Sequence, residues 1–145
     1  MIRKQICVLI VLVLVSAGIG WSQPLMPVEE LGKFLAFDVN LSTPPGQACA
    51  SCHHPSSGFA DPDAWLPVSM GIMKHRFGNR NAPTWAYMSF SPEFYWDEME
   101  EMYIGGQFWD GRAANLVEQA KGPFLNILEM NNPNMRHVVT RVEHS

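Results

Sequence analysis

The sequence feature that most constrains this chain is the run Cys49-Ala50-Ser51-Cys52-His53. Two cysteines separated by two residues and followed at once by histidine form the pattern to which c-type haem is attached. Both sulfurs then form thioether bonds to the vinyl groups of the porphyrin, and the histidine becomes the proximal ligand of the iron. The sequence therefore predicts one covalent haem c per chain, bound at Cys49 and Cys52 and ligated by His53.

Two other kinds of site share the Cys-x-x-Cys spacing: a thioredoxin-like redox pair and half of a zinc site. A redox pair is expected between a strand and a helix, whereas Pro44-Pro45-Gly46 precedes this motif and Pro55-Ser56-Ser57-Gly58 follows it, which is typical of loops. A zinc site needs further ligands, and Cys7 is the one other cysteine in the sequence. A bare dithiol and zinc therefore remain the alternatives to haem.

Residues 1–22 have the composition of a secretory signal peptide. Arg3 and Lys4 form a charged start, residues 6–15 form an apolar stretch, and Gly20-Trp21-Ser22 forms the exit. The apolar stretch is shorter than the ~20 residues that cross a bilayer, so contact with a membrane is expected only through an uncleaved signal. We expect export to the periplasm, where covalent haem can be attached, and a mature chain that starts at residue 23.

The mature chain is acidic. Without Arg3 and Lys4, eight basic residues face fourteen acidic ones, which gives a net charge of −6 at neutral pH. This sign argues against nucleic acid as a partner and is compatible with a basic or mixed-charge electron-carrier protein. The length of the mature chain suits one domain with a modest core, and a porphyrin would form a large part of that core.

The periodic segments of the sequence all carry the helix spacing. One helix is predicted over residues 27–37, a second from residue 113, capped by Asp110 and ended by Gly122-Pro123, and a third from Asn132-Pro133. The remaining stretches are rich in proline and glycine. We therefore predict an all-α fold without a substantial sheet, namely a cytochrome c-like haem domain with long irregular loops.

Aromatic residues are concentrated in one stretch of the chain. The run consists of Trp85, Tyr87, Phe90, Phe94, Tyr95 and Trp96. Large rings contribute much of the apolar area of a protein interior. We interpret the run as part of the wall of the haem pocket and the core, and a dedicated substrate site is the alternative.

Further short motifs flank the haem motif in a fixed order. They are Leu31-Gly32-Lys33, Phe37-Asp38, Leu41-Ser42, Gly58-Phe59-Ala60-Asp61, Arg80-Asn81-Ala82-Pro83-Thr84, Gln107-Phe108-Trp109-Asp110-Gly111-Arg112, Glu118-Gln119-Ala120-Lys121-Gly122-Pro123 and Glu129-Met130-Asn131-Asn132. In this order they resemble the bacterial di-haem cytochrome c peroxidase family, including its methylamine-utilisation relatives. The resemblance covers nearly the whole mature chain and is to the N-terminal domain of that family.

The resemblance implies a domain organisation and a function. Residues 23–145 correspond to the haem domain that meets hydrogen peroxide, and the family continues into a second haem domain, with calcium near the junction. We expect this chain to be a truncated piece that lacks the second domain. The implied function is reduction of hydrogen peroxide to water with electrons from a small cytochrome or copper protein. A single-haem electron-transfer cytochrome without peroxidase chemistry is the alternative.

The resemblance also implies roles for single residues. Glu129 corresponds to the proton-handling residue over the distal face of the haem, with Gln119 beside it, and the apolar residues before Glu129 are expected to bury it and raise its pKa. Trp109 corresponds to a residue that lies between the two haems, although an ordinary buried tryptophan is the alternative. Asn81 corresponds to half of a calcium site between the two domains.

Two residues are candidates for the sixth ligand of the iron. Met73 and His75 lie ahead of Arg80, in a segment where some members of the family carry a displaceable histidine. The spacing from Gly71 to Arg80 is one residue longer in this chain, so the family position falls on Ile72 or Met73. A place in a solvated basic loop is the alternative for His75.

Overall fold

Helices form most of the regular structure in the computed structural model, which describes residues 23–145. Helix α1 spans Pro27–Phe37, α2 spans Cys49–Cys52, α3 spans Leu116–Leu125 and α4 spans Met135–Val142; short 3₁₀ helices lie at Val39–Leu41, Pro55–Ser57 and Met88–Phe90. The predicted signal peptide lies outside the described residues. Among the helices of residues 23–145, none combines the length and the apolar composition that a membrane crossing requires.

An antiparallel hairpin interrupts this helical structure. Strand β1, Tyr95–Asp97, pairs with strand β2, Met102–Ile104, and Trp96 lies opposite Tyr103. The ring of Tyr103 stacks on Phe94 at a centroid distance of 5.0 Å and meets the edge of Trp96 at the same distance. The fold is thus helix-rich with a small two-stranded sheet, and the prediction of an all-α fold without a substantial sheet did not include this hairpin.

Side-chain caps account for the ends of two helices. Helix α1 has the predicted bounds, and the carboxylate of Glu29 accepts a hydrogen bond of 2.7 Å from the backbone nitrogen of Met26. Helix α4 starts slightly later than predicted, because Asn134 is its cap and accepts a hydrogen bond of 2.9 Å from the backbone nitrogen of His137. Both contacts pair a backbone donor that the first turn leaves free.

The prediction for α3 is wrong at both ends. The helix begins after Asn115, whose side chain accepts a hydrogen bond of 3.1 Å from the backbone nitrogen of Glu118. Asp110 is not the cap, because its carboxylate forms ion pairs with two arginines instead. The helix also contains Gly122 and Pro123 rather than ending at them. Pro123 has no backbone N–H for a helical hydrogen bond, and the helix ends two residues later, at Leu125.

The chain divides into the units Met1–Glu30 and Leu31–Ser145. In the second unit, α4 contacts both the 3₁₀ helix Val39–Leu41 and α3. The buried hydrophobic residues of the described chain are Leu41, Ala48, Ala50, Ala113, Met130 and Val138. Tyr87 and Phe90 are 81% and 80% exposed, so these two rings are not part of the core, and their place in the wall of the haem pocket stays a prediction.

A polar network ties the segment that leads into α2 to the segment between α3 and α4. The side-chain nitrogen of Asn132 donates to the carbonyl oxygens of Leu41 (2.7 Å) and Phe124 (2.9 Å), and its oxygen accepts a bond of 2.7 Å from the hydroxyl of Thr43. The backbone nitrogen of Thr43 also donates to the carbonyl of Met130 at 2.9 Å. Asn132 is buried and fully paired, so this Asn132 network fixes the approach to the haem motif.

Candidate haem-binding site

Helix α2 brings the three residues of the predicted haem motif together. Cys49 and Cys52 lie one turn apart, and the backbone nitrogen of His53 donates to the carbonyl of Cys49 at 3.0 Å. The hydroxyl of Ser51 accepts a bond of 3.0 Å from the backbone nitrogen of Ala48, which starts the turn. Both cysteines are free and partly buried, so two thiols and one imidazole extend from a single short turn.

The ring of His53 is held by main-chain carbonyls. Its Nδ1 lies 2.9 Å from the carbonyl oxygen of Pro83 and 3.2 Å from that of Phe59. Carbonyl oxygens only accept, so Nδ1 carries the proton and Nε2 keeps its lone pair. The ring also stacks on Trp85 at a centroid distance of 4.5 Å. Contacts of this kind fix the tautomer and orientation of metal-binding histidines, and burial lowers the pKa of His53, which favours the neutral form.

The two thiols are protonated at neutral pH. Burial raises the pKa of the Cys49 thiol and raises that of the Cys52 thiol to about 12, and the negative charge of Glu129 adds to both shifts. For Cys52 the charge of Asp61 contributes more than that of Glu129. Redox-active cysteines of the thioredoxin type have lowered pKa values, so the raised pKa values of these thiols differ from those of a thioredoxin-like redox pair. Among residues 23–145, no three His, Cys, Asp or Glu side chains form a group that could hold a metal ion.

The negative charge of Glu129 raises the pKa of both thiols, so the carboxylate is coupled electrostatically to the two cysteines. The carboxylate is partly buried, and burial raises its pKa above the ordinary value, against the opposing effects of Asn126 and Arg112. The amide nitrogen of Asn126 donates to Oε1 of Glu129 at 2.6 Å. Within residues 23–145, Oε2 has no hydrogen-bond partner and is the oxygen available to a ligand.

The loop that precedes the predicted calcium segment packs against Glu129. It spans residues 70–77, and its ends pair as an isolated antiparallel bridge. The backbone nitrogen of Ile72 donates to the carbonyl of Glu129 at 2.9 Å. Gly71 is buried so closely against the main chain that an added Cβ would lie 2.6 Å from the carbonyl carbon of Leu128. The 70–77 loop therefore sets the backbone position of Glu129.

Both candidates for the sixth iron ligand lie on the 70–77 loop. Met73 is partly buried, whereas His75 is exposed and has a φ of 64°. The exposure of His75 agrees with its alternative role in a solvated basic loop. Ligation by Met73 or His75 stays a prediction.

Gln119 lies on α3, where its side chain is partly buried. Within the described part of the chain, its amide forms no hydrogen bond to Glu129. The predicted partnership of Gln119 with Glu129 over the haem therefore stays a prediction.

Trp109 and Asn81 meet at a second corner of the molecule. The indole nitrogen of Trp109 donates to the backbone oxygen of Asn81 at 2.8 Å, and Trp109 is 63% exposed, so the alternative of an ordinary buried tryptophan is wrong. Asp110 pairs with Arg80 (2.8 Å) and Arg112 (2.7 Å), and these hydrogen bonds lower the pKa of Asp110 to about 2. The ion pairs hold the two loops of this corner together.

Sequence reasoning missed several side chains that support the site. A cavity of about 250 Å³ opens beside Cys52 and is lined by Gln47, Asp61 and Met70 among others. Asn126, which binds Glu129, was also not predicted. A polar residue two positions before the haem motif is the one sequence signal that could have drawn attention to Gln47.

Comparison with known proteins places these residues in a family. Residues 27–145 match the family model described as di-haem cytochrome c peroxidase. The chain is 38% identical over 143 residues to the methylamine utilization protein MauG of Paracoccus denitrificans, covering 94% of this chain and 36% of that protein. It is 39% identical over 104 residues to cytochrome c551 peroxidase of Pseudomonas aeruginosa, covering 72% of this chain and 25% of that protein.

A solved structure agrees with these matches. The diheme peroxidase BthA from Burkholderia thailandensis superimposes with a TM-score of 0.76 and 35% identity, over 85% of this chain and 31% of that one. The chain thus spans between a quarter and about a third of the length of these relatives. The matched region contains the cysteine pair, the histidine with its free Nε2 and the partly buried glutamate, and the chain belongs to the di-haem cytochrome c peroxidase family.

Proposed function

We propose that this chain is the peroxide-reacting haem domain of a di-haem cytochrome c peroxidase, which is exported and reduces hydrogen peroxide to water with electrons from a small redox protein. Family membership supports a haem oxidoreductase. The finer proposal rests on the partly buried carboxylate of Glu129, whose own pKa is raised by burial and whose charge raises the pKa of both thiols. A plain electron-transfer cytochrome needs no such group.

The residues of the motif fit a c-type haem, which the family implies. Cys49 and Cys52 would form the thioether bonds, and Nε2 of His53 would bind the iron. The fit rests on Nδ1 of His53, whose two carbonyl acceptors leave Nε2 as the metal-binding nitrogen. When bound, the haem supplies an iron centre that binds peroxide and passes electrons to it.

Glu129 would handle the protons of the reaction. Hydrogen peroxide, two electrons and two protons give two water molecules. When the O–O bond breaks heterolytically, one peroxide oxygen loses a proton and the other gains it, so a group beside the peroxide must move that proton. Because Asn126 occupies Oε1 of Glu129, Oε2 takes the proton from the first oxygen and delivers it to the second. Burial raises the pKa of Glu129, which brings the carboxyl closer to the operating pH and makes both transfers easier.

The corner formed by Trp109 and Asn81 would face the second haem domain. The pair is fixed by a hydrogen bond and yet leaves Trp109 mostly exposed, so a further domain can contact the indole. An aromatic ring there would help to carry electrons between the haems. The side-chain oxygen of Asn81 would supply part of a calcium site that the second domain completes.

The test is the substitution Glu129→Gln in the complete two-haem protein. We expect peroxide turnover to fall by roughly 10²- to 10⁴-fold, as for loss of a general acid–base group, while haem content and the reduced spectrum stay unchanged. Glu118→Gln is the matched control, since Glu118 is exposed on α3 and pairs with Lys121. Turnover at the wild-type rate in Glu129→Gln would contradict the proposal, and a wild-type protein that transfers electrons without reacting with peroxide would favour the electron-transfer alternative.

A further inference from the structure

Gln47 is a buried side chain to which the proposed function gives no role. It is 7% exposed and lies two residues before Cys49. Its backbone nitrogen donates to the hydroxyl of Ser42 at 2.9 Å, which fixes the main chain. Its side-chain nitrogen Nε2 donates to the carbonyl oxygen of Met70 at 3.0 Å and to Sγ of Cys52 at 3.5 Å. The amide thus links the second attachment cysteine to the 70–77 loop.

The orientation of this amide follows from the groups around it. The Met70 carbonyl can only accept, so the NH₂ end of Gln47 must face it, and a flipped amide would set two acceptors against each other. The oxygen end of the amide accepts no hydrogen bond. Among residues 23–145, Oε1 of Gln47 is the one buried side-chain oxygen or nitrogen that lacks a hydrogen-bond partner. Buried polar atoms are normally paired, so the contacts made by Nε2 determine how this side chain sits.

Sγ of Cys52 is held from two sides. It accepts from Nε2 of Gln47, and its S–H can donate to the carbonyl of Met70 at 3.8 Å. A thioether sulfur keeps its lone pairs and loses its hydrogen, so the bond from Gln47 persists after attachment. The Met70 carbonyl then still has Gln47 as its donor. The same arrangement therefore serves both the free thiol and the attached sulfur.

We propose that Gln47 is a positioning residue that holds the sulfur of Cys52 for formation of the second thioether bond. This inference rests on the proposed attachment of haem at Cys49 and Cys52. In that step a sulfur–carbon bond forms, the vinyl double bond becomes single, and the thiol hydrogen moves to the other vinyl carbon, so no oxidant or reductant is consumed. The N–H of Gln47 directs the sulfur and stabilises the negative charge that develops as its S–H bond breaks. In the described chain no side-chain amide donates to Cys49, so the effect is specific to Cys52.

The experiment compares the complete, exported protein with the variants Gln47→Met and Gln47→Glu. Methionine keeps the length of the side chain without a donor, and a glutamate carboxylate keeps its shape without an N–H. The matched control is Gln107→Met, since Gln107 is also buried, at 3% exposed, and among residues 23–145 its side chain forms no hydrogen bond to either cysteine. Thioether occupancy at each cysteine is measured by peptide mass spectrometry after short induction, before attachment is complete, and the pyridine haemochrome band provides an independent readout.

We expect both Gln47 variants to lower the ratio of attached to free Cys52 roughly fivefold, the size of one hydrogen bond, while attachment at Cys49 and the Gln107→Met control match the wild type. Equal Cys52 occupancy in wild type and Gln47→Met would overturn the inference. A parallel loss at Cys49 and Cys52, or failure of both Gln47 variants to accumulate, would assign Gln47 to folding alone and overturn it as well. Lack of thioether bonds in the wild type would refute the proposed haem attachment itself, together with this inference.

Discussion

Gly71→Ala tests whether the 70–77 loop sets the position of Glu129. A Cβ on residue 71 would lie 2.6 Å from the carbonyl carbon of Leu128 and 3.1 Å from the nitrogen of Glu129, and closer still to the oxygen of Leu128. These are main-chain atoms, which cannot rotate away as a side chain could. The φ of Gly71 is not in the left-handed region, so alanine is accepted by the local backbone and the clash is the sole source of strain.

The loop must therefore move away from Leu128 and Glu129. Overpacking of this kind costs about 1–3 kcal/mol, and the hydrogen bond from Ile72 to the carbonyl of Glu129 adds about 1 kcal/mol when it breaks. Replacing glycine by alanine also restricts the unfolded chain, which offsets about 0.5–1 kcal/mol of this loss in the free energy of unfolding. We expect a net loss of roughly 2 kcal/mol. A shift of Glu129 by about 1 Å would also lower peroxide turnover by roughly 10²-fold.

The assays are thermal unfolding and peroxide turnover of the complete protein. Gly32→Ala is the control, because nothing lies within 4 Å of a Cβ at that helical position, and alanine there is expected to stabilise the protein slightly. Haem content should be unchanged in both variants. If the Gly71→Ala variant had the same unfolding temperature and the same peroxide turnover as Gly32→Ala, the 70–77 loop would not control the position of Glu129. The close packing at Gly71 would then have no effect on function.

Three further predictions concern stability and pH. Asn132→Leu leaves the buried carbonyls of Leu41 and Phe124 without that donor, so we expect a loss of about 3 kcal/mol in unfolding experiments, compared with no loss for the exposed Asn79→Leu. Because burial raises the pKa of Glu129 above 4.5, turnover should fall as pH drops through that raised pKa, and an acid limb at or below pH 4.5 would contradict the assignment. The raised pKa means that the fold favours the protonated carboxyl, so the contribution of Glu129 to stability is present in acid and lost as pH rises. We therefore expect the Glu129→Gln variant to be more stable than wild type at neutral pH and equally stable in acid.

Local signals predicted part of the fold well. The proline at the start and the apolar stripe predicted α1 at its observed bounds, since both signals lie within the helix itself. The predicted cap of α3 was wrong because Asp110 forms an ion pair with Arg80, a residue 30 positions away. No local sequence pattern reveals that competition. The hairpin was missed because each strand has three residues. Asp97, which accepts from the backbone nitrogens of the turn at 2.8 and 3.0 Å, is the signal that could have identified it.

The residues of the site also fall into those that a local motif predicts and those that it does not. Cys49, Cys52 and His53 form a contiguous motif, so the sequence alone predicts a haem. The groups that hold the His53 ring are carbonyl oxygens of Phe59 and Pro83, and every residue has a carbonyl, so no residue type marks them. The same holds for the packing of Gly71 and for the donor role of Gln47, which depend on where distant loops meet.

The Asn132 network has a consequence for the order in which this domain assembles. Its hydrogen bonds join Leu41 and Thr43 to a residue 91 and 89 positions further along the chain, and the haem motif lies inside the loop that they close. Closing a loop of that length costs about 4 kcal/mol in chain entropy, which the contacts of α4 with Val39–Leu41 and α3 help to offset. During synthesis the cysteines and His53 emerge long before Asn132 does. They therefore lie on an open chain until the segment that contains Asn132 is available to close the loop.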